Sequence, residues 1–271
     1  MEKVKGPTGS QRLDSRSGPA EEQPREDIIV GRNAVGEALR SGRAIDSVLV
    51  AKGERSGSLT PLLAQCRSRG IPVKEVDFRK LDSLGGRNHQ GILAIAACKA
   101  YVELEDLFRI AQEKGEPPFL VVCDELEDPH NLGAILRTAE AAGVHGVIIP
   151  KRRSVGLTSI VYKTSAGAVE YMPVARVGNL TDTLRELKKR GVWVYGLDMD
   201  GAHWCQTDLT GAVALVIGSE GRGIGRLVRE QCDGILSLPM AGRINSLNAS
   251  VACGIALYEA ARQRQGIAAR S

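Results

Sequence analysis

Three short stretches hold the residue types from which a reaction site is made. The first is Asp128-Pro-His-Asn131-Leu-Gly133-Ala-Ile-Leu-Arg137, with an amide and a guanidinium near the start of a helical period. Asp128 followed by Pro129 is a favoured cap and first-turn pair, and Asn131 is the alternative cap. Leu132, Ile135, Leu136 and Ala139 make the apolar face, and Arg137 falls off it. An arginine so placed can fork onto a phosphate or carboxylate; the plainer reading is a surface or ion-paired side chain. The second stretch is Gly218-Ser-Glu220-Gly-Arg-Gly-Ile-Gly225. Its glycines let a ligand approach the backbone and offer amide donors, or simply make a tight turn. It lacks the Gly-Lys-Ser/Thr of a P-loop, and its spacing and late position exclude a dinucleotide fingerprint. Glu220 does not suit a phosphate; it suits an amine or a ring N–H, or the orienting of a nearby Asn or Arg. In the third stretch Ser246, Asn248 and Ser250 crowd into the start of a helical period after Leu238-Pro239. One helix needs one such cap, so the surplus points to a site. Asn131, Arg137, Glu220, Ser246 and Asn248, beside apolar Leu238 and Leu247, include no Cys–His or Ser–His–Asp nucleophile and no paired acids for a metal. Chemistry there has to come from a reactive cosubstrate.

Elements that position these loops can be read from periodicity. From residue 119 the pattern alternates strand and helix. Strands are expected at 119–123, 146–149, 171–174, 192–197, 212–217 and 235–238, and helices at 132–142, 158–169, 180–190, 224–232 and from about 248 onward. Such alternation implies an α/β domain over 119–271, with a mostly parallel sheet covered by helices on both faces. Ligands in that architecture bind beyond the carboxyl ends of the strands, where all three stretches fall. In the last helix Leu247, Val251, Ile255 and Tyr258 recur at helical spacing, alongside a small-residue stripe of Ala249, Ala252, Ala256 and Ala260. Residues 27–97 read as a smaller α/β unit, with a helix over 33–39 capped by Asn33, and 98–118 as a linker containing a polar helix. Arg32, Asn33, Arg87 and His89 of the small unit are candidates for facing a phosphate backbone, against the alternative of ordinary solvated surface. Residues 1–26 have almost no large apolar side chains and are expected to form a disordered tail.

Composition narrows the classes. A chain of 271 residues with 43% hydrophobic and 25% charged residues fits a soluble globular protein of one large or two ordinary domains. The net charge of +4 leans toward a polyanionic partner, while 4% aromatics argue against a stacking platform for single strands. Six cysteines show no C-x-x-C pairing and the four histidines no metal spacing, so reduced thiols and no metal are expected. No apolar run is long enough to span a bilayer, and a cytoplasmic location is expected.

Asn131-x-Gly-x-x-x-Arg137, Leu215-Val-Ile-Gly-Ser-Glu-Gly221 and Leu238-Pro-Met-x-Gly-x-x-x-Ser246-Leu-Asn248-x-Ser-Val-Ala together resemble the three ordered motifs of the SpoU (TrmH-type) family. These are S-adenosyl-L-methionine-dependent RNA ribose 2′-O-methyltransferases. The stretch from Gly31-Arg-Asn-Ala-Val to His89-Gln-Gly-Ile resembles the L30e-like substrate-binding domain of the rRNA-modifying branch, which the tRNA-modifying branch usually lacks. The resemblance implies a SPOUT domain with a deep trefoil knot at about 214–264, a fold that connection rules would not suggest. It also implies a homodimer with the site near its interface, and a guanosine of 23S rRNA as target. Carried over by position, Gly218, Leu238 and Leu247 would hold the cofactor, and Asn131, Glu220, Ser246 and Asn248 would position the ribose. Arg137 matches an arginine that draws off the hydroxyl proton; since arginine stays protonated near neutral pH, orienting phosphate and hydroxyl is an equal alternative. A tRNA ribose methyltransferase and a catalytically silent RNA-binding protein of the same fold are the alternatives in function. A dinucleotide-dependent oxidoreductase is disfavoured by the glycine loop.

Overall fold

The computed structural model describes residues 27–54, 57–244 and 246–268. The tail expected over 1–26 lies outside them. The first unit runs β1 (Ile28–Val30), α1 (Arg32–Arg40), β2 (Ile45–Ala51), α2 (Leu59–Ser68), β3 (Val73–Val76), α3 (Phe78–Gly85) and β4 (Ile92–Ala96). Its sheet has the order β1-β4-β2-β3, with β4 antiparallel to both neighbours and β3 parallel to β2. Helix α1 begins earlier than its sequence suggests. Gly31, at φ 90°, stands at the cap position, a backbone region where glycine is at ease, so Asn33 falls inside the helix.

The second unit contains α4 (Leu104–Glu113), β5 (Phe119–Cys123), α5 (Pro129–Ala141), β6 (Gly146–Pro150), α6 (Ser159–Thr164), β7 (Val174–Val177) and α7 (Leu180–Lys189). It continues with β8 (Trp193–His203), β9 (Val213–Ile217), α8 (Arg226–Arg229), β10 (Gly234–Ser237) and α9 (Ala249–Arg264). Every pair in the order β10-β8-β9-β5-β6-β7 is parallel. Alternate side chains of β5 serve two cores. Phe119, Val121 and Cys123 pack with α5 and α9 on one face, and Leu120 and Val122 with α4 and α7 on the other. That accounts for the continuous apolar run of β5, since a strand buried on both faces has no polar side to present.

Several expectations shift. The helix expected over 158–169 stops at Thr164, because Ala166 and Gly167 both take positive φ; a short 3-10 turn, Ala168–Glu170, follows and pushes the strand to Val174. The helix over 224–232 is only the single turn of α8. Strand β8 runs well past 197, to His203 alongside β10, with a break in register between Ile235 and Leu236. The segment expected as a linker is itself built into the second unit. Leu107 and Ala111 of α4 are buried in its core, and Val102 forms a parallel bridge to Ala175.

The two units meet at a buried charge cluster. Asp46 of β2 accepts the Tyr101 hydroxyl at 2.6 Å and pairs with the Arg176 guanidinium of β7 at 3.1 Å. Arg176 also donates to the Asp46 carbonyl at 2.8 Å and lies 5.0 Å over the Tyr101 ring. A Cβ built on Gly156 would lie 1.5 Å from Asp46 Oδ1, so the second unit presents bare backbone there.

Candidate active site

Strands β5, β6 and β7 run outward in one direction from the sheet centre, and β9 lies on the other side of β5. The loops after β5 and β9 therefore part company at a topological switch point, the usual place for a ligand in such sheets. After β5, Asp128 caps α5 by accepting the His130 amide at 2.9 Å, with Pro129 in the first turn. The capping role leaves Asn131 free to point inward, where it is 4% exposed. Gly133 is required behind it, because a Cβ there would lie 1.9 Å from Thr164 Oγ1.

After β9, the Ser219 amide donates to Gly223 C=O at 3.1 Å and the Gly223 amide to Ser219 C=O at 2.9 Å, with Gly221 and Gly223 at positive φ. A Cβ on Gly218 would meet Gly223 C at 2.1 Å, so the turn closes against bare backbone. Asp124, at the end of β5, anchors the turn by accepting the Gly225 amide at 2.7 Å. Burial is the main cause raising this carboxyl above its usual range, with Glu125 adding to it and the Gly225 amide opposing.

After β10, the chain passes over Leu238 and Leu247 and enters α9 at Asn248. The Asn248 side-chain oxygen caps the helix, accepting the Ser250 amide at 3.0 Å, the Val251 amide at 3.3 Å and the Ser250 hydroxyl at 2.6 Å. Its Nδ2 faces the other way and donates to Asn131 Oδ1 at 2.9 Å and to Glu220. Asn131 Nδ2 donates to the same Glu220 oxygen at 3.0 Å. Three residues from three loops thus close into one hydrogen-bonded cluster. The carboxylate of Glu220 is the shared acceptor, and charge-assisted bonds of this kind are the stronger ones.

This cluster stands between two cavities. The larger, of about 590 Å³, is lined by Gly218, Leu238, Leu247 and Ser246 together with Glu220, Asn248 and Ala252. The smaller, of about 210 Å³, is lined by Glu125, Leu126, Glu127, Asp128 and Asn131. Ser219, Glu220 and Arg222 belong to both walls. The surplus of polar residues at the entrance of α9 is thereby resolved: Asn248 serves cap and cluster at once, Ser250 braces it, and Ser246 faces the larger cavity. Ser219, Arg222 and Asp124 were not singled out from the sequence. Their positions beside Glu220 and at the end of β5 were the available signal.

Other candidates fall elsewhere. Arg137 is exposed on α5 and lines neither cavity. Asn33 and Arg87 are exposed on the first unit. Arg32 is half-buried and braces that unit, donating to Gln90 C=O at 2.9 Å and to Ser58 at 3.1 Å and pairing with Glu54 at 3.2 Å. His89 does not face a nucleic acid: it is fully buried. Its Nδ1 accepts the Gly91 amide at 3.0 Å, Nε2 lies 3.2 Å from Asp82, and Phe78 packs edge-on at 4.6 Å.

A wholly parallel sheet with a polar cluster between two cavities at its switch point, attached to a separate mixed sheet, defines a two-part α/β protein with a ligand site at the switch point. Residues 118–258 match the model of the SpoU rRNA methylase family, and residues 28–102 match that of RNA 2′-O ribose methyltransferase substrate binding. The chain belongs to the SpoU family of RNA methyltransferases. It is 48% identical over 242 residues to YacO of Bacillus subtilis (strain 168), named as a TrmH-family tRNA/rRNA methyltransferase, covering 89% of this chain and 97% of that one. Among solved structures it is similar to the SpoU methyltransferase AviRb from Streptomyces viridochromogenes in complex with S-adenosylmethionine. That match has a TM-score of 0.57 at 26% identity, over 88% of this chain and 90% of that one. The S-adenosylmethionine-bound rRNA methyltransferase from Sinorhizobium meliloti matches with a TM-score of 0.55 at 27% identity, over 89% and 88% of the two chains.

Proposed function

We propose that this chain transfers the methyl group of S-adenosylmethionine to a ribose 2′-hydroxyl of RNA, in a guanosine of 23S rRNA. The observation that carries the proposal is the Asn131–Glu220–Asn248 cluster, set as a wall between a larger cavity and a smaller one. The larger cavity fits a cofactor held through backbone and apolar contacts: Gly218 leaves no room for a Cβ, and Leu238 and Leu247 face in. S-adenosylmethionine supplies a methyl already activated on a sulfonium, which suits a wall without a protein nucleophile. Asn131, Glu220 and Asn248 then fix the ribose, with Ser246 at the cavity side, and alignment accounts for much of the rate.

Arg137 orients the phosphate and the hydroxyl, since an arginine stays protonated near neutral pH, and the hydroxyl proton leaves to water. Because it lines neither cavity of its own chain, it acts on the site of a second copy in a homodimer. The outward face of α9 supports that assembly: Val251 is 51% exposed and Tyr258 55%, an apolar pair on a helix that is already buried on its other side. The segment over about 214–264 forms the knotted part of the domain, and residues 27–97 hold the RNA. The match of residues 28–102 to a dedicated substrate-binding model favours rRNA over tRNA, and the complete cluster favours an enzyme over a silent binder. A ribosomal RNA substrate accords with a cytoplasmic location.

Labelled methyl transfer to 23S rRNA and tRNA transcripts tests this. Wild type is expected to label the 23S transcript at ribose. Arg137→Ala is expected to lose about 100-fold or more of the rate, with calorimetric S-adenosylmethionine affinity unchanged. No transfer by wild type to either RNA would reject the function, and full activity in Arg137→Ala would remove that residue's role.

A further inference from the structure

The loops after β5 and β6 meet at the rim of the smaller cavity, and each holds a non-glycine residue in the left-handed region: Glu125 at φ 51° and Arg153 at φ 52°. Side chains are held in that region at a conformational cost, which concentrates at functional sites. Here the two strained residues face each other. Arg153 Nη1 lies 2.8 Å from Glu125 Oε1, and beneath them the Val155 amide donates to Leu126 C=O at 2.9 Å. Arg222, from the turn after β9, stands 3.7 Å from the other oxygen of the same carboxylate. Both guanidinium side chains are open to solvent, at 75% and 82%, whereas Glu125 is 30% exposed. One carboxylate therefore holds two arginines at the mouth of a cavity.

Four of the five charged residues lining the smaller cavity are acidic, Glu125, Glu127, Asp128 and Glu220, and the fifth is Arg222, a balance that repels a phosphate but tolerates a nucleoside. Arg153 and Arg222 stand at the rim. Glu220 lines this cavity and the larger one, and Asn131 holds it from the smaller side, so a nucleoside placed inside has its ribose against the cluster.

We propose that Arg153 and Arg222 hold the phosphates flanking the acceptor nucleotide, and that Glu125 keeps them poised until an RNA phosphate takes its place. The proposal rests on the RNA methyltransferase reading above. Exchanging one oxyanion for another leaves the count of ion pairs unchanged. Exposed ion pairs are weak, and the guanidinium fork matches a phosphate in two-point contact, so the exchange favours RNA.

Binding of Glu125→Gln and Arg153→Ala to a 23S rRNA transcript, with unfractionated tRNA in parallel, over a series of salt concentrations tests the exchange. Opposite signs are expected. Glu125→Gln removes the competitor and tightens RNA binding about threefold or more at low salt, while Arg153→Ala weakens it about three- to tenfold and lowers the salt slope by about one. Calorimetric S-adenosylmethionine affinity and melting temperature, both expected to match wild type, report folding. If the alanine variant melts early, Arg153→Lys, which keeps the charge without the fork, replaces it and is expected to weaken binding by less. A merely structural ion pair would weaken RNA binding in both variants, and that result, or no change in either, overturns the proposal. The opposite-sign pattern in a protein that transfers no methyl would overturn the methyltransferase reading and leave the exchange in place.

Discussion

Asn248 does two jobs with opposite ends of one amide, and the two can be separated. Its oxygen caps α9, and its nitrogen donates to Asn131 and Glu220. Serine is a good cap but too short to reach the cluster. Asn248→Ala is expected to be about 1 kcal/mol less stable than Asn248→Ser, which keeps a capping side chain. Both lose a bond to a charged acceptor worth about 1.5–3 kcal/mol, so both should slow methyl transfer by about tenfold or more. Urea unfolding together with single-turnover transfer reads the two effects apart; equal stability in the two variants would show that the cap contributes nothing. At this scale much of the candidate site was legible, because Asn131, Glu220 and Asn248 each follow a recognisable apolar strand in a parallel pattern. His89 was misjudged for a physical reason. It sits in a polar Asn-His-Gln-Gly run that reads as surface, yet the fold takes it fully inside, in contact with Asp82 and Phe78.

Among the elements, the turn after β9 depends most on one absent side chain. Gly218→Ala would drive a Cβ to 2.3 Å from the Gly223 carbonyl oxygen, backbone against backbone. Overpacking of this sort costs about 1–3 kcal/mol, and opening the turn would deform the larger cavity. The variant should melt lower than wild type, and the stabilisation that S-adenosylmethionine gives wild type should shrink or vanish; an undiminished ligand-induced shift would dissociate Gly218 from the cofactor. Helix α9 shows what periodicity cannot decide. Val251 and Tyr258 recur on a helical period, and that face points outward, whereas Ala249, Ala256 and Ala260 of the small-residue stripe are buried within the chain; Leu247, which shares the period, precedes the helix and lines the larger cavity. A helix apolar on two sides offers two faces of equal standing, and packing against α5 and β9 selects which one turns inward.

For the whole molecule, the contact between the two units rests on Asp46, Tyr101 and Arg176. The Asp46 and Arg176 side chains are 9% and 8% exposed. Removing one partner of a buried pair strands the other charge at a cost of about 3–5 kcal/mol. Asp46→Asn is therefore expected to lower the urea midpoint clearly and to raise KM for RNA, leaving S-adenosylmethionine affinity unchanged. Tyr101→Phe, which loses the hydrogen bond to Asp46 and the one from the Leu157 amide, should cost about 2 kcal/mol. Equal losses in the two variants would show that the charge pair is not what joins the units. Nothing in the sequence marked this contact, because its residues belong to separate strands 130 positions apart and each alone reads as an ordinary surface group.

The crossing between the units has no slack. Ala97 donates its amide to Ala44 of the first unit at 2.9 Å, and the very next residue, Cys98, donates to Leu157 of the second at 2.7 Å. With the connection taut and the charge cluster closed, the exposed Asn33 and Arg87 are held at a set span from the acceptor cavity. If these residues meet RNA as the proposed function has it, the chain works as a gauge. An RNA whose shape meets both surfaces gains the second contact at the high effective concentration of an intramolecular event, and one that meets a single surface gains nothing from it. Under the proposed function, selection among RNAs that carry the same target nucleotide would be made by their shape at a distance from the reacting ribose.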